Sequence, residues 1–358
     1  MIIESSAFLV CVFFAIMPSG RMDRLSKKVR ESFPGKRIVI AGDIVADQFL
    51  HGTIARVSRE APVFILRHDE TDTRGGAAAN AAVNVAALGA RPVLVGTVGA
   101  DETGDVLLDV LLNAGVDCSQ IVADTSRKTT KKVRVLAGQH YAARQQVIRI
   151  DYENALEIQP SLSEKLRANL STAAENADAI VVSDYNYGVA TQELFSLASK
   201  IAAGRGIPLL IDSRYRLGDY QNATAATPNQ EEVEKILGRE LTADNCSALR
   251  ERLGFGSLLV TRGNKGMVLF ENDREPLNLP AVGSTEPVDV TGAGDTVIAA
   301  YALGLASGLE CAEAARAANH AGGIVVMKKG TASVSLDELI ESMQAHNGPN
   351  AAGSTASS

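Results

Sequence analysis

The chain has no tryptophan and only 4% aromatic residues, which disfavours an all-β sandwich built around large inward-facing rings. It has no excess of positive charge either. Its 35 Lys and Arg stand against 42 Asp and Glu, giving −7, and the cations are scattered, so the electrostatic footprint of a nucleic-acid binder is missing. Any phosphate recognition must therefore be local. The four cysteines, Cys11, Cys118, Cys246 and Cys311, lie far apart without a metal-like CxxC spacing; reduced thiols in a cytoplasmic protein are expected, since a chain of this size needs no disulfide staples. Long apolar runs are absent too. The segment Ala7 to Met17 reaches about half of the ~20 residues a membrane helix requires, and Glu4 stands where a leader would carry basic residues. Residues 1–21 are accordingly expected to be an extension or a misassigned start.

Ala, Gly, Val and Leu dominate the 46% hydrophobic content, a palette that fills a continuous core and lets helices pack closely on a sheet. The 358 residues leave room for one large α/β domain or two modest ones. KRIVIAGD (36–43) predicts a first strand. Strand and helix then alternate: GGAAANAAVNVAALG (75–89) reads as a helix, PVLVGTVG (92–99) as a strand, and DETGDVLLDVLLNAG (101–115) as a helix closed by glycine. Further strands end at Asp184, Asp212 and Thr261, and Ala-rich helices are expected from Thr291 to about Leu305 and from Glu310 to Lys328. Polar residues gather at strand C-termini, where open doubly wound sheets bind ligands. Residues 48–74 and 129–150 differ from this rhythm. They are Arg- and Val-rich with period-2 character, which suggests a small antiparallel β-lobe. The fold class expected is thus α/β, a doubly wound, mostly parallel sheet with that β-lobe as a lid. A disordered tail is expected over residues 345–358, which are poor in large apolar side chains.

The most informative stretch is DVTGAGDTVIAAYA (289–302), a glycine-rich turn running into an apolar helix. With little side chain at Gly292, Ala293 and Gly294, backbone N–H groups at the helix start can approach a phosphoryl group and stabilise its charge. Asp295 beside them can accept the proton of an attacking hydroxyl, although a simple helix cap with tight-packing glycines reads equally well. In RGGAAANAAVNVAALGA (74–90), Asn80 and Asn84 share a helix face near Gly75 and Gly76; the small residues leave room for a ligand or serve close packing. In TPNQEEVEKI (227–236), Asn229 and Glu232 stand one turn apart, within reach of magnesium-bound water or phosphate, or else form a capping box. TRGNKG (261–266) is a tight turn after a strand, able to bracket a nucleotide phosphate through Thr261, Arg262, Gly263 and Gly266. No GxGxxG follows the first strand, which excludes a dinucleotide-binding oxidoreductase, and no HxGH motif occurs, so nucleotidyl transfer is not expected of these residues.

Together and in this order, the four motifs resemble the ribokinase-like, or PfkB, carbohydrate kinase family over roughly residues 36–340. The resemblance implies ATP-dependent phosphorylation of a sugar with Mg2+, a kinase domain spanning those residues, and Asp295 as the base beside an anion hole at Gly292–Gly294. An intact Asp295 argues against a catalytically silent sugar-binding protein on the same scaffold. The resemblance also implies magnesium and phosphates at Asn229 and Glu232, nucleotide over Thr261–Gly266 near Asn319 and Gly323, and sugar at Asp43, Asp47, Gly75, Gly76 and Asn80. A monovalent cation, K+, is implied near Asp289, Thr291, Gly330 and Ser333, and a homodimer through the lid is a further implication.

A narrower likeness is to the subgroup that phosphorylates D-glycero-D-manno-heptose 7-phosphate at its anomeric hydroxyl, towards ADP-heptose for lipopolysaccharide. Residues 42–63, 129–153, SDYNYG (183–188) and 211–229 carry it. It implies phosphosugar contacts from Arg56, Lys132, Arg134 and Arg149, with Asp184 and Arg214 at the strand ends; Arg suits phosphate through paired hydrogen bonds. Two positions depart from the pattern. Tyr187 stands where SDYxKG is expected to have Lys, and Asp212-Ser213-Arg214 replaces DPK. Arg214 keeps the positive charge whereas Tyr187 does not, so ribose, fructose or a hexose phosphate is the alternative acceptor. The insertion GQHYAA (138–143) is also longer than expected.

Overall fold

A computed structural model describes residues 19–138, 144–154, 157–284 and 286–345. The apolar run 7–17, Cys11, the insertion beyond Gly138 and tail residues 346–358 lie outside them. The first described helix begins inside the expected extension: α1 (Ser19–Ser32) buries Met22, Leu25 and Val29, with Phe33 following, a helical repeat that gives it one apolar face.

The main sheet contains nine strands among the described residues, in the order β13-β12-β11-β10-β9-β8-β1-β4-β5. The first strand, β1 (Arg37–Gly42), lies inside the sheet, flanked in parallel by β4 (Arg91–Gly99) and β8 (Ala179–Asp184). Strands β5 (Asp117–Asp124), β9 (Leu209–Ser213), β10 (Ala225–Ala226) and β11 (Ser257–Thr261) extend the parallel set. Two antiparallel strands, β12 (Met267–Glu271) and β13 (Leu277–Leu279), close one edge.

Both faces of the sheet are covered. Ile38 and Ile40 of β1 join a core with α1, α2 (Ala78–Ala87), α3 (Glu102–Asn113), α8 (Ala293–Ala306), α9 (Cys311–Val325) and α10 (Leu336–Ala345). Val39 and Ala41 face α4 (Pro160–Ala173), α5 (Gln192–Arg205), α6 (Gln230–Leu237) and α7 (Ala243–Leu253) on the other side. This alternation is the strand period expressed as two helical layers. It explains why the central strands read as continuous apolar runs.

The second sheet has the order β3-β2-β6-β7: β2 (Ile44–Val57), β3 (Phe64–Ala77), β6 (Lys131–Gly138) and β7 (Gln145–Tyr152). It is mixed rather than wholly antiparallel, because β2 and β6 pair in parallel. The cause is connectivity. The chain leaves β1 and β5 from the same end of the main sheet, so β2 and β6 enter the lid in one direction, while β3 and β7 return antiparallel to them. The glycine pair expected at a helix start instead ends β3, with Gly75 opposite Ala46 and Gly76 opposite Val45. A Cβ on Gly76 would lie 2.8 Å from Asp47 Oδ2, so glycine there lets the Asp47 carboxylate lie close against β3.

Candidate active site

Gly292 precedes α8 in the left-handed region, φ 78°, and no side chain caps that helix. The turn thus presents the helix N-terminus open to the crevice above the sheet. Asp295, one turn in, is buried. Its Oδ2 accepts from Asn80 Nδ2 at 2.9 Å and its Oδ1 from the Tyr185 hydroxyl at 2.9 Å. Asn80 also donates to the Gly292 carbonyl, and Asn84 donates to the Asn80 side-chain oxygen. Asn80 on α2 therefore serves the α8 turn directly, and Asn84 one turn on serves it through Asn80. Burial pushes the Asp295 carboxyl up to about 7, while the bonds from Asn80 and Tyr185 pull it down. A proton acceptor poised near neutrality, beside open amides, suits general-base work.

Two cations flank Tyr185. Lys132 Nζ lies 5.7 Å from its ring centroid and the Arg214 guanidinium 5.6 Å. Burial and the neighbouring Arg214 lower the Lys132 ammonium, while Asp151 and Asp47 support it, so two cations stand together at this corner. Arg134, two residues further along β6, pairs with Asp47 at 2.6 Å, and Thr331 donates to the other Asp47 oxygen at 2.8 Å. Tyr187, in place of the expected Lys, sends its hydroxyl to Glu153.

Beyond Asp295 a cavity of about 300 Å3 is lined by Asp212, Arg214, Thr227, Asn229, Glu232 and Gly292–Gly294. Asn229 and Glu232 form the full capping box of α6, at 2.8 and 2.9 Å, and still face the anion turn across this cavity. Capping and ligand-facing positions coexist. Burial raises both Glu232 and, more strongly, Asp212, which favours a cation entering between them. A second, mostly apolar cavity adjoins it, lined by Thr261, Gly263, Gly266, Ala293, Gly294, Asn319 and Gly323 among others. Its apolar walls and the neighbouring amides match a flat base with a phosphate tail.

With this geometry in view, residues 49–339 match the model of the pfkB family of carbohydrate kinases. The chain belongs to that family. Among relatives, the bifunctional protein HldE of Caulobacter vibrioides is 38% identical over 326 residues, which are 89% of this chain and 65% of that one. The HldE of Pseudomonas aeruginosa is 39% identical over 317 residues, 87% of this chain and 64% of its own. The chain thus spans just under two thirds of the curated relatives it matches. Ribokinase from Arabidopsis thaliana complexed with ribose and ATP superposes with a TM-score of 0.65 at 20% identity, covering 87% of this chain and 99% of that one. Phosphofructokinase-2 from Escherichia coli in complex with potassium gives 0.68 at 18%, with coverage of 87% and 99%. At these identities the two structures are alike in fold.

Within this pfkB kinase, two expected sugar contacts need correction. Asp43 accepts the N–H groups of Tyr185, Tyr187 and Val189 at 2.8–3.0 Å and is 1% exposed. It hangs the 185–189 loop rather than facing the crevice. Asp184 is fully buried against Ser213, Arg216 and Tyr220, a charge neutralised inside the protein. Arg56 lies nine residues beyond Asp47 on β2, roughly 30 Å away along an extended strand, and is exposed at the lid tip. Arg149 pairs with Asp151 on the lid, opposite Arg134. Near the implied monovalent-cation site, Asp289 accepts from the N–H groups of Thr291 and Gly330, while the Ser333 carbonyl already takes the Lys328 ammonium at 2.7 Å. Among the described residues, no cluster of three or more His, Cys, Asp or Glu could hold a metal ion, and no helix is long and apolar enough to cross a membrane.

Sequence reasoning missed Tyr185, Asp212 and Thr331 as site residues. The first two sit just where strands β8 and β9 end, so the strand-end signal contained them; Thr331 reaches Asp47 from 284 residues away, and nothing local marks it. The Asp43 hub carries its own test. Asp43→Ala orphans three N–H groups, each costing about 1–3 kcal/mol where water cannot reach, so thermal denaturation should show a large loss of stability.

Proposed function

We propose that this chain transfers the γ-phosphoryl group of ATP to the anomeric hydroxyl of D-glycero-D-manno-heptose 7-phosphate. The observation that carries the substrate class is the pair of cations, Lys132 and Arg214, set against the Tyr185 ring beside the base. A phosphate already on the acceptor matches that charge, and the HldE relatives and the lid likeness point the same way. Asp47, Gly75, Gly76, Asn80 and Arg134 would frame the sugar, with Arg149 at the rim.

ATP would lie over Thr261–Gly266, with Asn319 and Gly323 along its base. The acceptor oxygen attacks Pγ, the Pγ–O bond to ADP breaks, and the acceptor proton passes to Asp295. Amides of Gly292, Ala293 and Gly294 meet the charge growing on the transferred group. Asn229 and Glu232 would hold Mg2+, a fit supported by the Glu232 and Asp212 carboxyls, both raised by burial, that line the same cavity; bound there, it would neutralise phosphate charge. A monovalent cation such as K+ would be held by backbone carbonyls near Asp289, Thr291 and Gly330.

Lys132→Ala separates phosphosugar from free-sugar acceptors. The KM for the phosphosugar should rise about tenfold, as for a lost charge-assisted contact, with the KM for ATP unchanged. Equal KM values in variant and wild type would favour an unphosphorylated acceptor, the reading that Tyr187 supports.

A homodimer through the lid is part of the proposal. Ile148, Ile150 and Tyr152 are 53%, 41% and 50% exposed, in register with Val135, Val133 and Lys131 of β6, and such an apolar sheet face favours burial against a copy. Light scattering should give twice the chain mass for the wild type and the single mass for Ile148→Asp; a monomeric wild type removes the dimer.

A further inference from the structure

Each oxygen of Asp295 accepts a hydrogen bond, Oδ2 from Asn80 where it is buried and Oδ1 from the Tyr185 hydroxyl where it is part-buried, and the more open Oδ1 is the one an acceptor hydroxyl can share with Tyr185. A carboxylate oxygen accepts two hydrogen bonds, and both donors can share it. Tyr185 cannot be the base itself, since burial and the nearby Asp295 and Asp212 carboxylates push its phenol well above the usual range. It remains a donor throughout the working pH range.

The position of that donor is tightly built. Asp43 fixes the main chain of residue 185 from below through its N–H, and Lys132 and Arg214 stand against the ring. Cations at an aromatic ring draw electron density from it, which strengthens the phenol as a donor. The remaining groups facing Asp295 oppose one another. Asp47 from β2 and Asp212 from the end of β9 disfavour its charge, while Arg214 and the amide of Asn80 on α2 favour it.

We propose that Tyr185 is a positioning residue for the base: its hydroxyl holds the Asp295 carboxylate ionised and aimed at the acceptor, with Lys132 and Arg214 sharpening the donor. The proposal rests on Asp295 being the base. Tyr185→Phe removes one oxygen and should move the acid limb of kcat/KM for the acceptor upward by about one pH unit, the scale of one hydrogen bond to a carboxylate. The loss is then about tenfold below neutrality and shrinks towards alkaline pH. A role in packing alone would lower the rate equally at every pH and leave the limb in place, which overturns the proposal. Incorporation of 3-fluorotyrosine at residue 185 keeps the shape and makes the phenol a stronger donor, so the limb should move downward; an unmoved limb counts against the proposal even where the Phe variant folds poorly. Asp295→Asn runs alongside. If it is inactive while both Tyr185 changes leave the limb unmoved, this proposal alone fails; if it turns over like the wild type, the base assignment falls and takes this proposal with it.

Discussion

Asp295→Asn should lower kcat by about 10²–10⁴-fold, the usual worth of a positioned general base, and leave ATP affinity intact, because the nucleotide cavity does not include its side chain. The substitution keeps the shape. Asn can accept from Asn80 and donate to the Tyr185 oxygen, so the local bonds survive in altered polarity. The same variant should be more heat-stable than the wild type at pH 8. The folded value of about 7 lies above the ordinary 3.8, so the fold is favoured by Asp295 below pH 3.8 and loses that support as pH rises through 7. Removing the buried charge therefore raises the melting temperature at pH 8, and the gain should shrink on acidification to pH 5. A rate loss combined with a stability gain is the signature of a carboxylate retained for chemistry.

Gly292→Ala should lose both stability and rate. At φ 78° an L-residue costs about 1–2 kcal/mol, and the added Cβ would collide with the Asn80 amide. Asn80 would leave Asp295, and a misplacement of about 1 Å at a reacting group can cost 10²-fold. Gly294→Ala is the control. A Cβ there meets nothing within 4 Å, so the fold should keep its melting temperature while kcat falls, the methyl projecting beside both cavities. A Gly294→Ala enzyme of normal rate would mean that no phosphoryl group comes close to that turn.

Much of this architecture was legible because its signals are local. The β-branched runs ending at Asp184, Asp212 and Thr261 identified strands β8, β9 and β11, and their polar ends identified the crevice. The TGAGD turn could be read as a glycine-rich entry to an apolar helix, with cap and anion site equally open from those residues alone. The direction of β6 against β2 could not be read, since it depends on where the chain leaves the main sheet rather than on the lid sequence. Asp43 and Asp184 misled for a related reason. A carboxylate at a strand end looks alike in sequence whether it faces a ligand or accepts buried N–H groups from a loop 142 residues on, as Asp43 does. Beyond its place past a strand end Tyr185 carries no local mark, because an aromatic there reads alike whether its hydroxyl meets water or a carboxylate 110 residues on.

The central claim is phosphoryl transfer from ATP to a sugar in the crevice at Asp295, and the most direct measurement is acceptor-dependent ADP release across a panel of free and phosphorylated sugars that includes heptose 7-phosphate. The account predicts ADP formation that requires an acceptor and is fastest with heptose 7-phosphate. ADP release indifferent to every acceptor would contradict the kinase chemistry, and turnover confined to free pentoses or hexoses would contradict the phosphosugar assignment.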